Sequence, residues 1–376
     1  MNDFQQKLWD DLMKLVSENE SFYFVDQKLE VNLRTFRIFN YRIASWTEFQ
    51  LPNALNCRGT MFEITEDGKP LRLASLSMHK FFNLGEGNVQ PDLSLLEGVE
   101  LKVDGSLIST YIVDGELFLK SKGSLFSEQA LDAMKWLNQP ENATFKTLLF
   151  NSTMNNYTVN MEWLSPNNRI VIGYEIPHLK VLNIRSNADG NYVRRELTPS
   201  LQPYWIDVID VSDPVKFVAS IPDVKGIEGY VLKFSDGLWI KCKGSQYVTL
   251  HTLASNLRIP RHLYETVINE CVDDVIGLFA HDLIMINKIT QMQNHVAKQY
   301  NNVIVKVEQF YDQNKLLDRK TYAIKCKQEL SQVLFGLCMS RYLGKEVKYK
   351  QFMLKNYELF RLPESVEIES FESDLE

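Results

Sequence analysis

Lys102-Val103-Asp104-Gly105-Ser106 opens the stretch that decides how this chain folds. Behind it runs Leu107–Val113, rich in β-branched and aromatic residues, then Asp114-Gly115, then Glu116–Lys122. An Asp-Gly step between two such runs is a strong short-range hairpin signal, because both turn positions need positive φ angles. The pattern recurs twice. Met61–Ile64 and Leu71–Ala74 flank Glu66-Asp67-Gly68, and Tyr230–Phe234 and Leu238–Lys243 flank Asp236-Gly237. Antiparallel sheets are therefore expected through roughly the first 250 residues, with helices such as Ser127–Leu137 packed outside.

Beyond about residue 255 the period changes. Met285, Ile289, Met292, Val296, Tyr300 and Val303 recur at spacings of three and four, as on one face of an amphipathic helix. Similar stripes continue from Ala323 to Leu343, and Pro260 and Pro363 are the only prolines in this half. The expected fold class is α+β: an antiparallel-sheet domain over residues 1–252, an all-helical C-terminal domain over 253–363, and an acidic tail over 364–376.

The composition of the 376 residues, 45% hydrophobic and 24% charged, is that of a globular protein with two cores. The start, Met1-Asn-Asp-Phe-Gln-Gln-Lys-Leu, has no basic flank or continuous apolar run, so no secretory signal is expected. No apolar run approaches the roughly 18 residues that a membrane span requires. The cysteines, Cys57, Cys242, Cys271, Cys326 and Cys338, are odd in number and form no Cys-x-x-Cys pair. Reduced thiols in a cytoplasmic setting are expected, without structural zinc. The net charge of −7 is concentrated in the tail, where six of the last 13 residues are acidic and none basic. Lys288–Arg361 instead holds 14 Lys/Arg against six Asp/Glu. That excess marks either a solvated helix surface or a face for a polyanion.

Clusters with chemical potential surround the opening lysine. They are Cys57-Arg58-Gly59, His79-Lys80-Phe81-Phe82-Asn83, Phe118 to Ser124, Asn160-Met161-Glu162-Trp163, Ile227-Glu228-Gly229-Tyr230-Val231 and Trp239-Ile240-Lys241-Cys242-Lys243. Alternation places Lys241 and Lys243 on one strand face, and Lys120 and Lys122 on another. Each pair is either a solvated strand face or a phosphate clamp. Glu162 and Glu228 sit among apolar residues, where a carboxylate needs an ion-pair partner or a metal. Mg²⁺ suits such a place, since it takes one or two carboxylates plus waters and phosphate oxygens. A lysine nucleophile needs a depressed pKa, which a neighbouring cation such as Mg²⁺ or Lys241 can supply. No dinucleotide-binding Gly-x-Gly-x-x-Gly and no phosphate-binding Gly-Lys-Ser/Thr loop occurs.

In this order, Arg58-Gly59, Lys80 to Asn83, Lys102-Val103-Asp104-Gly105-Ser106, Lys122-Gly123, Glu162, Glu228-Gly229-Tyr230 and Lys241-Cys242-Lys243 resemble the RNA ligases of T4-like bacteriophages, in the branch that repairs cleaved tRNA. The resemblance runs from about residue 30 through Tyr247 to His251 and more loosely through Asp273-Asp274. It implies a nucleotidyltransferase fold and an ATP-dependent ligase in which Lys102 is the adenylylated nucleophile. By the same resemblance Asp104 and Gly105 shape its turn and the ribose contact. Glu162 contacts ribose or metal-bound water, and Glu228 holds Mg²⁺, with Mn²⁺ able to substitute. Lys241 and Lys243 bind the α-phosphate. Arg58, Lys80 and Lys122 grip the outer phosphates, Phe82 shapes the pocket beside them, and Tyr41 falls near a functional tyrosine. Asp273 and Asp274 orient a second hydrated metal or simply charge a helix N-terminus. Val103 departs from the acidic residue that usually follows the lysine. The implied partners are RNA, in particular tRNA with a broken anticodon loop, and an upstream polynucleotide kinase/phosphatase. The implied location is the cytoplasm of an infected bacterium. DNA ligases and mRNA capping guanylyltransferases share the lysyl-nucleotide chemistry, but typically continue into a β-rich barrel where this chain turns helical.

Overall fold

A computed structural model describes residues 1–30, 33–42, 44–86, 90–168, 171–269, 272, 283–330 and 332–363. The chain divides into two compact units, Met1–His251 and a second from Thr252 onward. The first is built on three sheets.

Helix α1 (Asp3–Glu18) starts at a capping box between Asn2 and Gln5 and buries Leu8, Trp9, Leu12 and Leu15. These pack on the first sheet, a meander of β1 (Phe22–Leu29), β2 (Arg34–Tyr41), β3 (Thr60–Ile64) and β4 (Pro70–Ser75). Next come β5 (Phe82–Asn83), β6 (Leu96–Lys102), β7 (Ser106–Val113) and β8 (Glu116–Ser121). Helices α2 (Glu128–Leu137), capped by Ser127, and α3 (Ala143–Met154) follow, then β9 (Tyr157–Leu164) and β10 (His178–Ser186). The second sheet has the order β10-β9-β7-β8, and α2 and α3 bury Ala133, Leu137, Phe145 and Leu149 against it. Segments β11 (Val208–Ile209), α4 (Pro214–Ser220), β12 (Gly229–Phe234) and β13 (Trp239–Lys243) complete the third sheet, ordered β11-β6-β12-β13-β5. Among the described strands every pairing is antiparallel except β5 with β13.

All three Asp-Gly hairpins form where the sequence places them, as β3–β4, β7–β8 and β12–β13. At the β7–β8 turn Asp114 and Gly115 take φ of 48° and 81°, the conformation a two-residue hairpin loop demands.

Helix α5 (Ser245–Arg258) contains the boundary between the units. The second unit comprises α6 (Pro260–Ile268), the 32-residue α7 (Leu283–Asn314), α8 (Arg319–Glu329), α9 (Phe335–Tyr342), α10 (Tyr349–Lys355) and α11 (Tyr357–Phe360). The α7 stripe of Met285, Ile289, Met292, Val296 and Val303 is buried in its core. The stripe from Ala323 to Leu343 is interrupted: α8 ends at Glu329, and a 3₁₀ turn at Gln332–Leu334 precedes α9. Tyr322 is fully buried, and its ring lies 4.3 Å from that of Tyr342. Tyr342 in turn donates its hydroxyl proton to the Leu317 carbonyl at 2.7 Å. Core packing accounts for both. Among the described residues no helix is long and apolar enough to cross a membrane.

Candidate active site

Lys102 is the last residue of β6 in the third sheet, and Ser106 is the first of β7 in the second. The Lys-x-Asp-Gly segment therefore carries the chain from one sheet to the other, at a cleft of about 320 Å³. Gly105 is required there by close approach: a Cβ would overlap the Trp163 carbonyl oxygen and the Leu164 side chain of β9.

Register explains what surrounds the amine. Gly229 of β12 stands opposite Lys102 on one side and Lys243 on the other. Its φ of 149° and the overlap that a Cβ would make with the Cys242 carbonyl exclude larger residues. Glu228, immediately before it, lies between the two ammonium groups. Its Oε2 is 2.7 Å from Lys102 Nζ and its Oε1 2.9 Å from Lys243 Nζ, and the side chain is only 3% exposed.

Burial opposes charge on Lys102, but Glu228, then Glu162 and Asp104, outweigh it and raise its pKa. Burial likewise opposes charge on Glu228, and Lys102 and Lys243 outweigh it and lower the carboxyl. The pair is ionic. This corrects the expectation of a depressed pKa at Lys102. Lys241, by contrast, is brought down to about 7 by burial and then by Lys80, Lys102, Arg58 and Lys243.

Tyr41, Arg58, Lys80, Lys102, Gly105, Lys122, Glu162, Lys241 and Lys243 all line the cleft. Burial, reinforced by Arg58 and Lys243, lowers Lys80. Arg58 buries an Nη1 with no hydrogen-bond partner among the described residues. Lys80 and Lys122 lie 5.8 and 5.4 Å from the centroid of the Tyr41 ring. So many cations facing one another are favourable only with an anion among them.

Phe82 and Lys120 are placed differently from expectation. Phe82 is a core residue, packed 5.7 Å from Phe49 beneath Lys80, and does not line the cleft. Asp104 is buried: Oδ2 accepts from the Val171 and Ile172 amides, and Oδ1 accepts from the Tyr247 hydroxyl at 2.7 Å. These bonds shape the turn, and at 2% exposed Asp104 is not among the residues that line the cleft. Lys120 does not join Lys122 as a clamp. Fully buried, its Nζ donates to the carbonyls of Gly59 at 2.6 Å and Ser121 at 3.1 Å. Asp273 and Asp274 lie outside the described residues. Sequence reasoning missed the work of Tyr247 and of Tyr174, whose hydroxyl accepts from the Asp104 amide. Both are aromatics far from Asp104 in sequence, and no spacing signals the contact.

Glu162 has no hydrogen-bond partner among the described residues, and burial, with Glu228 adding to it, pushes its pKa up to about 7. Glu162 and Glu228 fit a divalent cation held through one or two carboxylates, waters and phosphate oxygens. They do not make an all-protein cage: no group of three or more acidic, His or Cys ligands occurs among the described residues.

The RNA ligase family matches residues 56–248, and the T4 RNA ligase 1 C-terminal domain matches residues 256–364. The chain belongs to the T4-type RNA ligase family. It is 27% identical over 276 residues to RNA ligase 1 of bacteriophage TS2126, covering 68% of this chain and 66% of that protein. It is 25% identical over 341 residues to a candidate bifunctional polynucleotide kinase/RNA ligase of Autographa californica nuclear polyhedrosis virus, covering 80% and 47%. The matched region thus spans 66% of the phage relative's length and 47% of the baculovirus relative's. An archaeal ATP-dependent RNA ligase structure aligns with 78% of this chain at 13% identity and a TM-score of 0.44.

Proposed function

We propose that this chain is an ATP-dependent RNA ligase that joins 5′-phosphate and 3′-hydroxyl ends, acting on tRNA broken in its anticodon loop. One observation carries the reading: a lysine on the line between two sheets, bonded to a buried glutamate and ringed by Arg58, Lys80, Lys241 and Lys243.

The chemistry assigned to these residues has three displacements at phosphorus. The Lys102 amine attacks the α-phosphorus of ATP, the bond to pyrophosphate breaks, and the amine loses its proton. An oxygen of the RNA 5′-phosphate then takes the AMP from Lys102. The RNA 3′-hydroxyl oxygen finally attacks that 5′-phosphorus and AMP leaves. Before the first step Lys102 must exchange Glu228 for the nucleotide and give up a proton, because the ion pair favours the ammonium. Arg58, Lys80 and Lys122 orient the outer phosphates, while Lys241 and Lys243 face the charge that develops at the α-phosphate. A divalent cation, Mg²⁺ or Mn²⁺, held by Glu162 and Glu228 would supply further neutralisation of that charge.

The 14 Lys/Arg of Lys288–Arg361 support a polyanionic partner for the helical unit. An upstream polynucleotide kinase/phosphatase is the class of enzyme that prepares such ends, and the bacterial cytoplasm is where cleaved tRNA would be met. DNA ligation and guanylyl transfer for mRNA capping are the competing uses of the same chemistry. The test offers the protein ATP or GTP with three substrates: broken tRNA, single-stranded RNA and nicked duplex DNA. Joining of 5′-phosphate to 3′-hydroxyl RNA with ATP, fastest on tRNA, is expected; sealing only of nicked DNA overturns the reading.

A further inference from the structure

A second concavity, of about 530 Å³, lies at the β11 edge of the third sheet, outside the cleft that holds Lys102. Two 3₁₀ turns, Arg195–Leu197 and Pro199–Tyr204, and the segment leading into β11 build it. Register ties it to the reacting lysine. Val208, which lines it, stands opposite Glu100 of β6, and the Leu101 amide donates to the Asp207 carbonyl at 2.9 Å. Opposed residues of an antiparallel pair share a face, as do residues two apart on one strand. Val208 is therefore on the face of the sheet that bears Lys102, roughly 8 Å away backbone to backbone. From the second sheet, Lys180 stands opposite Glu162 and reaches Asp207 Oδ1 at 3.5 Å, which links the groove to the Glu162 strand of the cleft.

The charges here cancel, and that decides the class of ligand. Arg195 and Lys180 are offset by Glu196 and Asp207, so a phosphate finds no net attraction, unlike in the cation-rich cleft. What remains is a mixed set of donors and acceptors. The Arg195 guanidinium carbon lies 5.2 Å from the centroid of Trp205, which is 3% exposed and donates from its indole to Thr198. Nε and Nη1 of Arg195 are buried with no hydrogen-bond partner among the described residues, so packing on the indole holds the group. Nη2 is left to the groove that Arg195 lines. Glu196, Gln202 and Oδ2 of Asp207 make no side-chain hydrogen bond among the described residues, and all three side chains are exposed.

A planar group that stacks on a guanidinium and is read along its edge matches this set, and an unpaired nucleobase is such a group. Guanine matches best. Its O6 accepts, while its N1–H and 2-amino group donate side by side, so it meets a guanidinium and a carboxylate together. The other three bases offer a carboxylate no such pair of adjacent donors.

We propose that this groove takes an unpaired guanine of the RNA close to the end being joined, with Arg195 donating to O6 and Glu196 or Asp207 accepting from N1–H and the 2-amino group. The proposal rests on the chain being an RNA ligase and adds a base preference to that reaction. The separation of about 8 Å corresponds to roughly two stacked nucleotides at about 3.4 Å each. These residues position the RNA and take no part in the displacement at phosphorus.

The test uses the full-length protein and single-stranded RNAs that carry guanosine, inosine (no 2-amino group) or adenosine at one of the three positions flanking either end. Joining of preadenylated donor strands is measured beside labelling of Lys102 by ATP. Wild type is compared with the double variant Glu196→Gln, Asp207→Asn, whose two side chains are exposed and whose fold is therefore undisturbed. In wild type, guanosine at one position is expected to lower the KM for RNA about tenfold against inosine and adenosine, the worth of a charge-assisted hydrogen bond. In the double variant the three bases should fall within about threefold of one another, with Lys102 labelling within about twofold of wild type. A 6-thioguanosine at the sensitive position should crosslink on irradiation to a peptide within residues 195–208. Equal KM values for the three bases at every position in wild type, a guanosine preference that survives in the double variant, or a crosslink confined to other peptides overturns the proposal. Parallel loss of Lys102 labelling in the double variant would mark a structural role and overturns it too. Failure of wild type to join any of these RNAs overturns the ligase reading instead.

Discussion

At the scale of single residues, the site separates groups that hold geometry from groups that face the cleft. Asp104 is of the first kind, since three donors from Tyr247, Val171 and Ile172 hold its two oxygens. Asp104→Asn replaces an acceptor with an amide donor aimed at donors, and should cost about 1–3 kcal/mol in denaturant unfolding. Tyr247→Phe should cost about 1 kcal/mol and leave a normal far-UV spectrum. The sequence made Lys102, Lys241 and Lys243 legible because they stand in short motifs with a fixed strand period. It gave no sign of the donors that hold Asp104, because they come from 67 to 143 residues away. His79 adds a pH signature. Burial and then Arg185 push its pKa down to about 3, against about 6.5 when unfolded. The unfolded chain therefore binds the extra proton between about pH 3 and 6.5, so stability falls on acidification through that window by up to about 1.4 kcal/mol per pH unit. His79→Gln should flatten that limb in thermal melts; an unchanged slope would refute the assignment.

Among elements, the hairpins were the readable part, and the joining of β6 to the β12–β13 hairpin in the third sheet was not. A hairpin is written in adjacent residues, as Asp114-Gly115 shows, whereas β6 pairs with β12 more than a hundred residues later. β1 and β2 escaped for a related reason: their connection carries no Asp-Gly step, and Asp26, Lys28, Arg34 and Arg37 interrupt the apolar pattern. Lys120 shows what the assembled strands add. From β8 its ammonium bonds the Gly59 carbonyl and so ties the segment carrying Arg58 to the strand leading to Lys122. Burial, with Arg58 adding to it, lowers its pKa to about 7, so the bond draws on a costly buried cation. Lys120→Met keeps the shape and removes the tie. The expected result is a KM for ATP raised by about tenfold in self-adenylylation, since orientation of the outer phosphates is lost. Joining of a preadenylated RNA, which has no such phosphates, should be within about twofold of wild type. Equal loss in both assays would assign Lys120 a general structural role.

For the whole molecule, the change of period near residue 255 was legible because helix and strand periodicities differ over many residues. Where the helical core ends and a surface begins was not: Tyr322 and Tyr342 pack inward although their spacing alone allowed either fate. If the basic helical unit binds tRNA through phosphates, log affinity should fall linearly with log salt, and a fragment ending at Arg258 should keep adenylylation but lose its preference for tRNA over unstructured RNA. An identical preference in the fragment would contradict that role. The central claim is narrower, that one amine in the cleft carries the nucleotide. Its most direct test is peptide mass spectrometry of the full-length protein after incubation with ATP and a divalent cation. The account predicts one AMP per chain, on Lys102, absent in Lys102→Ala; an AMP on any other residue, or none on wild type, would contradict it.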